Sequence, residues 1–167
     1  VFFSQRRVGL NGKPFLILKF RSMVTDGGTV GSLVTGDRDP RVTKFGSVLR
    51  RYKLDELPQL LNVIRGEMSI VGPRPEVPKF VKLFQEDYDL IHKVKPGITD
   101  YAALCFRNES ELLESVDDPE EYYVSSILPL KIGYYFRYID EQSFWLDVKL
   151  FLLTVISVFY RGLRVKL

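Results

Sequence analysis

The segment 69–78 limits the fold of this chain more than any other part of it, because glycine and proline are concentrated there. These residues are Gly72, Pro73, Pro75 and Pro78. Proline has no backbone N–H to donate, and the residue before a proline is disfavoured in the α-helical region. The segment must therefore be extended or turned, and a helix that approaches it from either side must end.

The N-terminal part of the chain predicts a β-hairpin and then a long loop. Asn11-Gly12 is a strong turn signal, and it separates an apolar stretch that contains Phe2 and Val8 from the apolar run 15–20. Residues 25–40 contain four glycines together with several hydroxyl and acidic side chains. They predict a loop, and long loops in compact domains are often functional.

Helical periodicity predicts most of the remaining elements. The predicted helices cover residues 43–52, 54–64, 79–93 and 143–160. Gly66 is expected to end the second of them. The acid-rich stretch 109–121 is expected to form a solvated helix and a loop.

The C-terminal helix has a wide apolar face and a narrow polar stripe. Its longest apolar run, residues 150–160, would extend about 16 Å as a helix, against about 30 Å of hydrocarbon in a bilayer. The run is therefore too short to span a membrane. Such a helix suits a membrane surface or a protein core, and its periodicity does not separate the two.

The composition predicts one domain and excludes several kinds of site. A chain of 167 residues corresponds to about one domain, and a hydrophobic share of 46% is enough to build a core. The single cysteine, Cys105, excludes an internal disulfide framework and a multi-cysteine zinc site. The single histidine, His92, argues against a histidine-based metal site. Cys105 is expected to be buried, and His92 to lie on the surface of a helix.

Charge is distributed unevenly along the chain. Residues 1–53 carry 11 Lys and Arg against 3 Asp and Glu, whereas residues 54–167 carry 13 against 18. A basic region of this kind attracts phosphate groups, whether they belong to a nucleic acid, a nucleotide or an anionic lipid headgroup. Composition alone does not choose among these partners.

Two adjacent acids, Asp55 and Glu56, are the first candidates for chemistry. Neighbouring helix positions point about 100° apart, so one carboxylate could serve a metal and the other a reacting atom. At the start of a helix the helix dipole would favour their ionised forms, and an ionised aspartate can attack phosphorus to form an acyl-phosphate. Acids are also common in a first helical turn without any catalytic role.

Basic side chains around this pair would suit phosphoryl transfer, which needs positive charge to hold a pyrophosphate. Arg74 lies between Pro73 and Pro75, whose restricted backbone would aim its side chain at a site; a surface turn is the alternative. Lys19 and Arg21 share one side of a predicted strand, which fits either a site or a solvated edge. The other nearby cations are Arg38, Arg41, Lys44, Arg50, Arg51, Lys53 and Arg65.

Short sequence blocks spread over residues 1–100 carry more information than any single residue. They are Lys19-Phe20-Arg21-Ser22-Met23, Asp39-Pro40-Arg41-Val42-Thr43 with Gly46, Leu54-Asp55-Glu56-Leu57-Pro58-Gln59-Leu60 with Asn62-Val63, Gly66-Glu67-Met68-Ser69, Val71-Gly72-Pro73-Arg74-Pro75 and Lys95-Pro96-Gly97-Ile98-Thr99. In order and spacing they resemble the motifs of the bacterial sugar transferase family, the monotopic phosphoglycosyl transferases. The C-terminal part of the chain also resembles that family, and a set of this kind is highly specific.

The resemblance implies an enzyme that moves a sugar-1-phosphate from a UDP-sugar to polyprenyl (undecaprenyl) phosphate, with Mg²⁺ as cofactor and UMP as a product. It implies that Asp55 is the nucleophile and that Glu56, the second catalytic residue, holds Mg²⁺. Arg74 and Arg50 match positions that bind phosphate or nucleotide. The remaining residues expected to bind substrate or phosphate are Lys19, Arg21, Arg41, Pro73 and Pro75.

The resemblance also implies a fold and a location. The expected fold is α/β (α+β), a helix-rich, compact, membrane-associated domain with a small N-terminal β-hairpin. A single domain would occupy residues 1–167, without the hydrophobic re-entrant membrane helix that members of the family carry ahead of it. The domain would lie on the cytoplasmic face of a bacterial inner membrane and start the assembly of a surface glycan, such as a capsule, exopolysaccharide or lipopolysaccharide. Asp100 stands where many relatives have glycine, which bears on sugar specificity.

Two other functions fit parts of the sequence. A non-catalytic membrane-surface or partner-binding domain with the same scaffold would use the basic region and the apolar C-terminal helix, but it has no need of Asp55 and Glu56 together with Arg74. A nucleic-acid-binding protein fits the basic region but conflicts with the acidic remainder and a net charge of only +3. No nucleic-acid partner is therefore expected. A P-loop or Rossmann enzyme is disfavoured because no glycine-rich phosphate motif occurs.

Overall fold

Two pairs of short strands and a series of helices make up the protein in the computed structural model. The structure describes residues 1–24 and 39–159. Most of the predicted loop 25–40 lies outside the described residues, as do Arg38 and the end of the chain from residue 160 onward.

The predicted N-terminal hairpin is confirmed. Strand β1 (Phe2–Val8) pairs antiparallel with β2 (Pro14–Phe20). Asn11 takes the left-handed conformation, with φ 56°, in the connection between them, as expected for an Asn-Gly turn. The N–H of Val8 donates to the carbonyl of Glu76 at 3.1 Å, so the hairpin is attached to the segment that follows the prolines.

Short helices and short strands alternate through the middle of the chain. They are α1 (Lys44–Arg51), α2 (Gln59–Ile64), β3 (Ser69–Val71), α3 (Pro78–Leu83), α4 (Gln85–Ile91) and β4 (Gly97–Thr99). Thr43 caps α1 by accepting a hydrogen bond from the N–H of Gly46 at 2.9 Å. Strands β3 and β4 form a parallel pair, and Gly66, with φ 76°, follows the end of α2 as predicted.

Two predicted helices are interrupted in the structure. The prediction of one helix over 54–64 is wrong, because Leu54–Glu56 forms a 3-10 turn and α2 begins only at Gln59. Pro58 has no N–H with which to continue an α-helix through this point. The predicted helix 79–93 is divided into α3 and α4 at Phe84, which has non-helical φ −127° and ψ 44° and packs against the core.

Helices make up the C-terminal part of the described chain. They are α5 (Tyr101–Cys105), α6 (Glu109–Glu114), α7 (Pro119–Tyr122), α8 (Leu128–Glu141) and α9 (Phe144–Phe159). A π-helical turn, Tyr123–Ile127, joins α7 to α8. The acid-rich stretch 109–121 therefore forms helix and loop, and the predicted C-terminal helix is confirmed as far as Phe159.

The main core joins the hairpin to helices α3, α4, α5 and α8. Its buried side chains are Val8, Val77, Phe80, Val81, Tyr88, Ile91, Ala102, Leu113, Tyr123, Ile127, Leu128, Ile132 and Tyr135. A second cluster joins β3, α5, α8 and α9 through Val71, Tyr101, Leu104, Tyr138 and Leu150. The fold is thus the mixed, helix-rich and compact one expected, with its hairpin at the N-terminus.

Two single residues lie contrary to the prediction. His92 is buried because the end of α4 lies against the hairpin turn, where the N–H of Asn11 donates to the His92 carbonyl at 2.7 Å. Its ring also packs on Tyr88, with 5.3 Å between centroids. Cys105 is exposed because the short helix α5 turns Leu104 inward and leaves the next position on the outside.

Candidate active site

A tight turn between α1 and α2 carries Asp55 and Glu56. Before it, Lys53 takes the left-handed conformation with φ 56° and ψ 19°, which is uncommon for a residue with a side chain. The N–H of Glu56 donates to the Lys53 carbonyl at 3.3 Å and closes the turn. Both acids are buried, so the turn brings two carboxylates into the protein interior.

Glu56 is held by two cations that come from distant parts of the chain. Arg74 Nη1 donates to Glu56 Oε2 at 3.1 Å, and Arg74 Nη2 donates to Oε1. Lys19 Nζ donates to Oε1 at 3.0 Å. The strand β2, the 3-10 turn and the loop between the prolines therefore meet at this carboxylate. Arg74 forms the forked contact that a guanidinium makes with a planar anion.

The charges of Glu56, Lys19 and Arg74 shift one another's pKa values. Burial alone would raise the pKa of Glu56, but Arg74 and Lys19 outweigh it and hold that pKa well below its usual range. Burial lowers the pKa of Lys19 although Glu56 opposes the shift. The pKa of Arg74 is raised, chiefly by the charge of Glu56. Glu56 is thus ionised at neutral pH, with two basic side chains against its carboxylate.

Asp55 has a different environment from Glu56. Burial, with a further contribution from the charge of Glu56, raises the pKa of Asp55 above its ordinary value. Its Oδ1 atom is buried and has no hydrogen-bond partner among the described residues. The expectation that a helix dipole favours ionisation of both acids is wrong for Asp55, because α2 begins only at Gln59 and burial dominates.

The loop that carries Arg74 is fixed by the end of the parallel strand pair. Gly72 and Gly97 lie so close that a Cβ on Gly97 would be 2.2 Å from the Gly72 nitrogen. The N–H of Gly97 donates to the Pro73 carbonyl at 3.0 Å. Pro73 and Pro75 are both buried, so the prediction of a restricted loop that aims Arg74 at a site agrees with the geometry.

Two polar residues of α2 that the sequence reading did not single out support this arrangement. Asn62 is fully buried, accepts from the N–H of Leu18 at 3.0 Å and donates to the Leu16 carbonyl at 2.8 Å. It thereby fastens α2 to β2, the strand that carries Lys19. Gln59 is also fully buried, and neither polar atom of its amide has a partner within the described residues.

The other predicted basic site residues, Arg50, Arg41 and Arg21, have different surroundings. Arg50, in the last turn of α1, is half-buried, and its charge opposes a small part of the rise in the pKa of Asp55. Arg41 pairs with Asp39, with 2.7 Å between Nη2 and Oδ2. Arg21 is exposed and donates to the Phe2 carbonyl at 3.3 Å. Lys19 and Arg74 are therefore joined directly to Glu56. Arg41 instead pairs with Asp39, and Arg21 bonds to the backbone of β1.

The helices α1 and α2 expose large apolar side chains on the surface beside the acids, and this surface is called the α1–α2 apolar face. In this stretch the buried polar side chains are Asp55, Glu56, Gln59 and Asn62, whereas most of the large apolar side chains are exposed. The exposed side chains are Phe45, Val48, Tyr52, Leu54, Leu57, Leu60, Leu61 and Ile64. Phe45 is 71% exposed and Ile64 81%. Single exposed apolar residues are common on protein surfaces, but a group of this size marks an interaction surface.

The C-terminal helix α9 also turns polar side chains toward the protein and exposes large apolar ones. Thr154 faces the protein and lies 2.6 Å from the hydroxyl of Thr99, and Asp147 accepts from the Tyr138 hydroxyl at 2.9 Å. The exposed large apolar side chains of this region are Phe144, Trp145, Phe151, Leu152, Val155 and Ile156. The helix α9 therefore packs on the core through Leu150 but exposes these large apolar side chains, so it is not a fully buried core helix. Among residues 1–24 and 39–159, no helix has both the length and the apolarity needed to cross a bilayer.

The donor set near Asp55 suits one particular class of metal. Mg²⁺ is commonly bound by one or two carboxylates together with substrate phosphates, and less often by an all-protein cage. The described residues contain no group of three or more His, Cys, Asp or Glu that could hold an ion alone. A site with only one or two carboxylates fits this stretch better. It would use Asp55, whose buried Oδ1 has no partner among the described residues, and the neighbouring Glu56.

Comparison with known proteins identifies the family. The family model described as "Bacterial sugar transferase" matches residues 1–161. The chain is 43% identical over 164 residues to "UDP-glucose:undecaprenyl-phosphate glucose-1-phosphate transferase" of Escherichia coli (strain K12). The matched region covers 95% of this chain and 32% of that protein. It is 40% identical over 158 residues to "Uncharacterized sugar transferase EpsL" of Bacillus subtilis (strain 168), covering 95% and 69%.

A relative named for another sugar is similarly close. The "UDP-N-acetylgalactosamine-undecaprenyl-phosphate N-acetylgalactosaminephosphotransferase" of Aeromonas hydrophila is 37% identical over 161 residues, which cover 95% of this chain and 35% of that protein. The chain thus spans about a third of the length of the Escherichia coli and Aeromonas proteins. With a match over nearly all of its residues, the chain belongs to the bacterial sugar transferase family.

Proposed function

We propose that this protein transfers a sugar-1-phosphate from a UDP-sugar to polyprenyl (undecaprenyl) phosphate, giving polyprenyl-diphosphate-sugar and UMP. The observation that carries this proposal is the cluster of Asp55, Glu56, Arg74 and Lys19, which combines a buried nucleophile candidate with cations suited to a diphosphate. The names of the relatives support the same reaction class. The reaction would be the first membrane step of surface glycan assembly.

Asp55 is the proposed nucleophile. A carboxylate oxygen of Asp55 attacks the sugar-linked phosphorus of the UDP-sugar, and the bond between that phosphorus and the bridging oxygen breaks to release UMP. The product is a phosphosugar ester of Asp55, an acyl-phosphate. A phosphate oxygen of the polyprenyl phosphate then attacks the same phosphorus and frees Asp55. Support comes from the absence of a hydrogen-bond partner for Asp55 Oδ1 within the described residues.

Arg74 and Lys19 are the proposed phosphate-binding groups closest to the reaction. Both donate to Glu56, and the diphosphate would compete with that carboxylate for them. Forked guanidinium contacts stabilise negative charge on the equatorial oxygens of phosphorus. Arg50 would add positive charge near Asp55, while Arg41 and Arg21 would act at the outer part of the site.

Glu56, with Asp55 beside it, is the proposed Mg²⁺ site. When bound, Mg²⁺ would neutralise negative charge on the diphosphate and on the departing UMP. The part played by the protein is to keep Glu56 ionised, which Arg74 and Lys19 achieve by lowering its pKa. Pro73 and Pro75 keep the Arg74 backbone in place around it.

The α1–α2 apolar face is the proposed membrane contact, on the cytoplasmic face of the bacterial inner membrane. It flanks Asp55 and Glu56 in the sequence and exposes large apolar side chains. The neighbouring Lys44, Arg51 and Lys53 are also exposed, and cations beside an apolar surface favour anionic lipid. A polyprenyl phosphate embedded in the bilayer could then present its phosphate to the site while its chain stays in lipid.

UMP release tests the proposed reaction. We expect the protein in lipid to release UMP from one or a few members of a panel of UDP-sugars, and to do so only with polyprenyl phosphate and Mg²⁺ over many turnovers. EDTA should stop the release and excess Mg²⁺ should restore it. Absence of release from every donor, by a folded protein that still binds membranes, would contradict the proposal and favour the non-catalytic membrane-surface or partner-binding domain.

Vesicle flotation tests the membrane contact independently of activity. Ile64→Glu and Phe45→Glu should each weaken binding to vesicles that contain anionic phospholipid, by roughly tenfold or more, because burial of such a side chain is worth about 1.5–3 kcal/mol. Leu83→Glu is the matched control, since Leu83 is 58% exposed on α3 and lies outside the apolar face. Equal binding by all three variants would contradict the assignment.

A further inference from the structure

Asp100 is a buried acid that the proposed chemistry does not use. It is 0% exposed and follows directly after β4. Its two oxygens accept from two different backbone groups. Oδ2 accepts from the N–H of Arg74 at 3.1 Å, and Oδ1 accepts from the N–H of Ala103 at 2.6 Å. The carboxylate thus connects the loop between the prolines to the start of α5.

The contact with Arg74 is significant because of the neighbouring prolines. Within Pro73-Arg74-Pro75, only Arg74 has a backbone N–H, since proline has none. Its single donor is taken by Asp100. The guanidinium at the other end of Arg74 is taken by Glu56. One acid therefore fixes the backbone of Arg74, and another fixes its side chain.

A cap for α5 alone would not require a buried carboxylate. Serine, threonine or asparagine caps a helix as well as aspartate does, and each could supply the one oxygen that Ala103 needs. Burial raises the pKa of Asp100 to about 6, although the two N–H groups and the charges of Arg74 and Lys131 oppose that shift. Both oxygens of this buried side chain are used, each by a different backbone N–H.

We propose that Asp100 is a positioning residue for the transfer reaction: through the backbone N–H of Arg74 it sets where the guanidinium meets Glu56 and the substrate diphosphate. This inference rests on the proposed function of Arg74. It assigns Asp100 no contact with the substrate. It explains why the second oxygen of the carboxylate points away from the helix that the first one caps.

Asp100→Asn tests this role, because asparagine keeps the shape and has only one acceptor oxygen. It can cap α5 or accept from Arg74, but not both. We expect kcat/KM for the UDP-sugar to fall roughly tenfold to a hundredfold, and the thermal unfolding midpoint to fall moderately because one buried N–H loses its acceptor. Asp118→Asn is the matched control, since Asp118 caps α7 by accepting from Glu120 and Glu121 in an exposed position. It should retain the wild-type rate.

A double-mutant cycle with Arg74→Ala separates positioning from general destabilisation. If Asp100 acts through Arg74, Asp100→Asn should cause no further loss in the Arg74→Ala protein. An equal loss in both backgrounds, or an unchanged rate for Asp100→Asn alone, would overturn the inference.

Hydrogen exchange provides a readout that does not depend on activity. Since Pro73 and Pro75 have no amide hydrogen, the exchange of Arg74 can be isolated in a short peptide. Asp100→Asn should accelerate that exchange and Asp118→Asn should not. If the wild-type protein releases no UMP from any donor, the proposed function fails, whereas unaltered protection of Arg74 in Asp100→Asn would count against the Asp100 contact itself.

Discussion

Replacing Asp55 by asparagine is expected to lower UMP release by about three orders of magnitude or more, because it removes the proposed nucleophile. Asparagine has nearly the shape of aspartate, and it is neutral in a buried place where burial already raises the pKa of the acid. The fold should therefore tolerate the change well. The measurement is steady-state UMP release with the preferred donor, alongside thermal unfolding of the same samples.

The covalent step itself can be observed when the acceptor is left out. Wild-type protein incubated with donor and Mg²⁺ should gain the mass of one sugar phosphate on the peptide that carries Asp55, and Asp55→Asn should gain nothing. Asp140→Asn is the control, because Asp140 is exposed on α8. Retention of UMP release within tenfold of wild type by Asp55→Asn would rule out this residue as nucleophile and favour direct attack by the lipid phosphate.

The parts of the fold that the sequence predicted are those with local causes. The hairpin follows from Asn11-Gly12 between two apolar stretches, and the structure places Asn11 in the left-handed conformation that such a turn needs. The loop around Arg74 follows from the two prolines beside it. The division of the helix 54–64 at Pro58 was also readable in principle, because proline within a helical pattern marks a break.

The direction in which the helices face could not be read from periodicity. In α2 the apolar residues recur at helical steps, which ordinarily indicates the side that packs on a core. Here the polar residues Gln59 and Asn62 are buried and the leucines are exposed. Periodicity defines two faces of a helix, but the environment of each face depends on what else the chain brings there.

Residues whose partners are far away in the sequence were the hardest to find. Asn62 bonds to backbone groups of β2, and Asp100 bonds to the backbone of Arg74. Neither interaction has a local signature, because any residue can supply the backbone partner. The pairing of Arg41 with Asp39 was missed for another reason. Arg41 was counted as part of a basic surface, whereas Asp39 forms an ion pair with it.

Replacing Arg74 by alanine is expected to lower kcat/KM by roughly a hundredfold to a thousandfold, the scale seen when one preorganised charge-stabilising group is removed. Arg74→Lys should recover little of this loss. A lysine amine cannot reproduce the two parallel contacts that Arg74 makes with Glu56. Arg6→Ala on β1 is the control, since Arg6 is an exposed arginine outside the cluster. A rate for Arg74→Lys close to wild type would contradict a forked contact with phosphate.

Arg74→Ala should also destabilise the fold, and this loss of stability can be separated from the loss of activity. Arg74→Ala leaves Glu56 buried with Lys19 as its remaining partner, so the destabilisation should stay below the roughly 3–5 kcal/mol that a buried charge left without any partner costs. Arg74→Lys keeps a cation beside Glu56, so its unfolding midpoint should recover most of the loss, while UMP release stays low because an amine cannot form the forked contact. Recovery of activity together with stability would mean that Arg74 serves the fold alone. Recovery of stability without activity would place Arg74 in the reaction, because lysine supplies the positive charge but not the forked contact with phosphate.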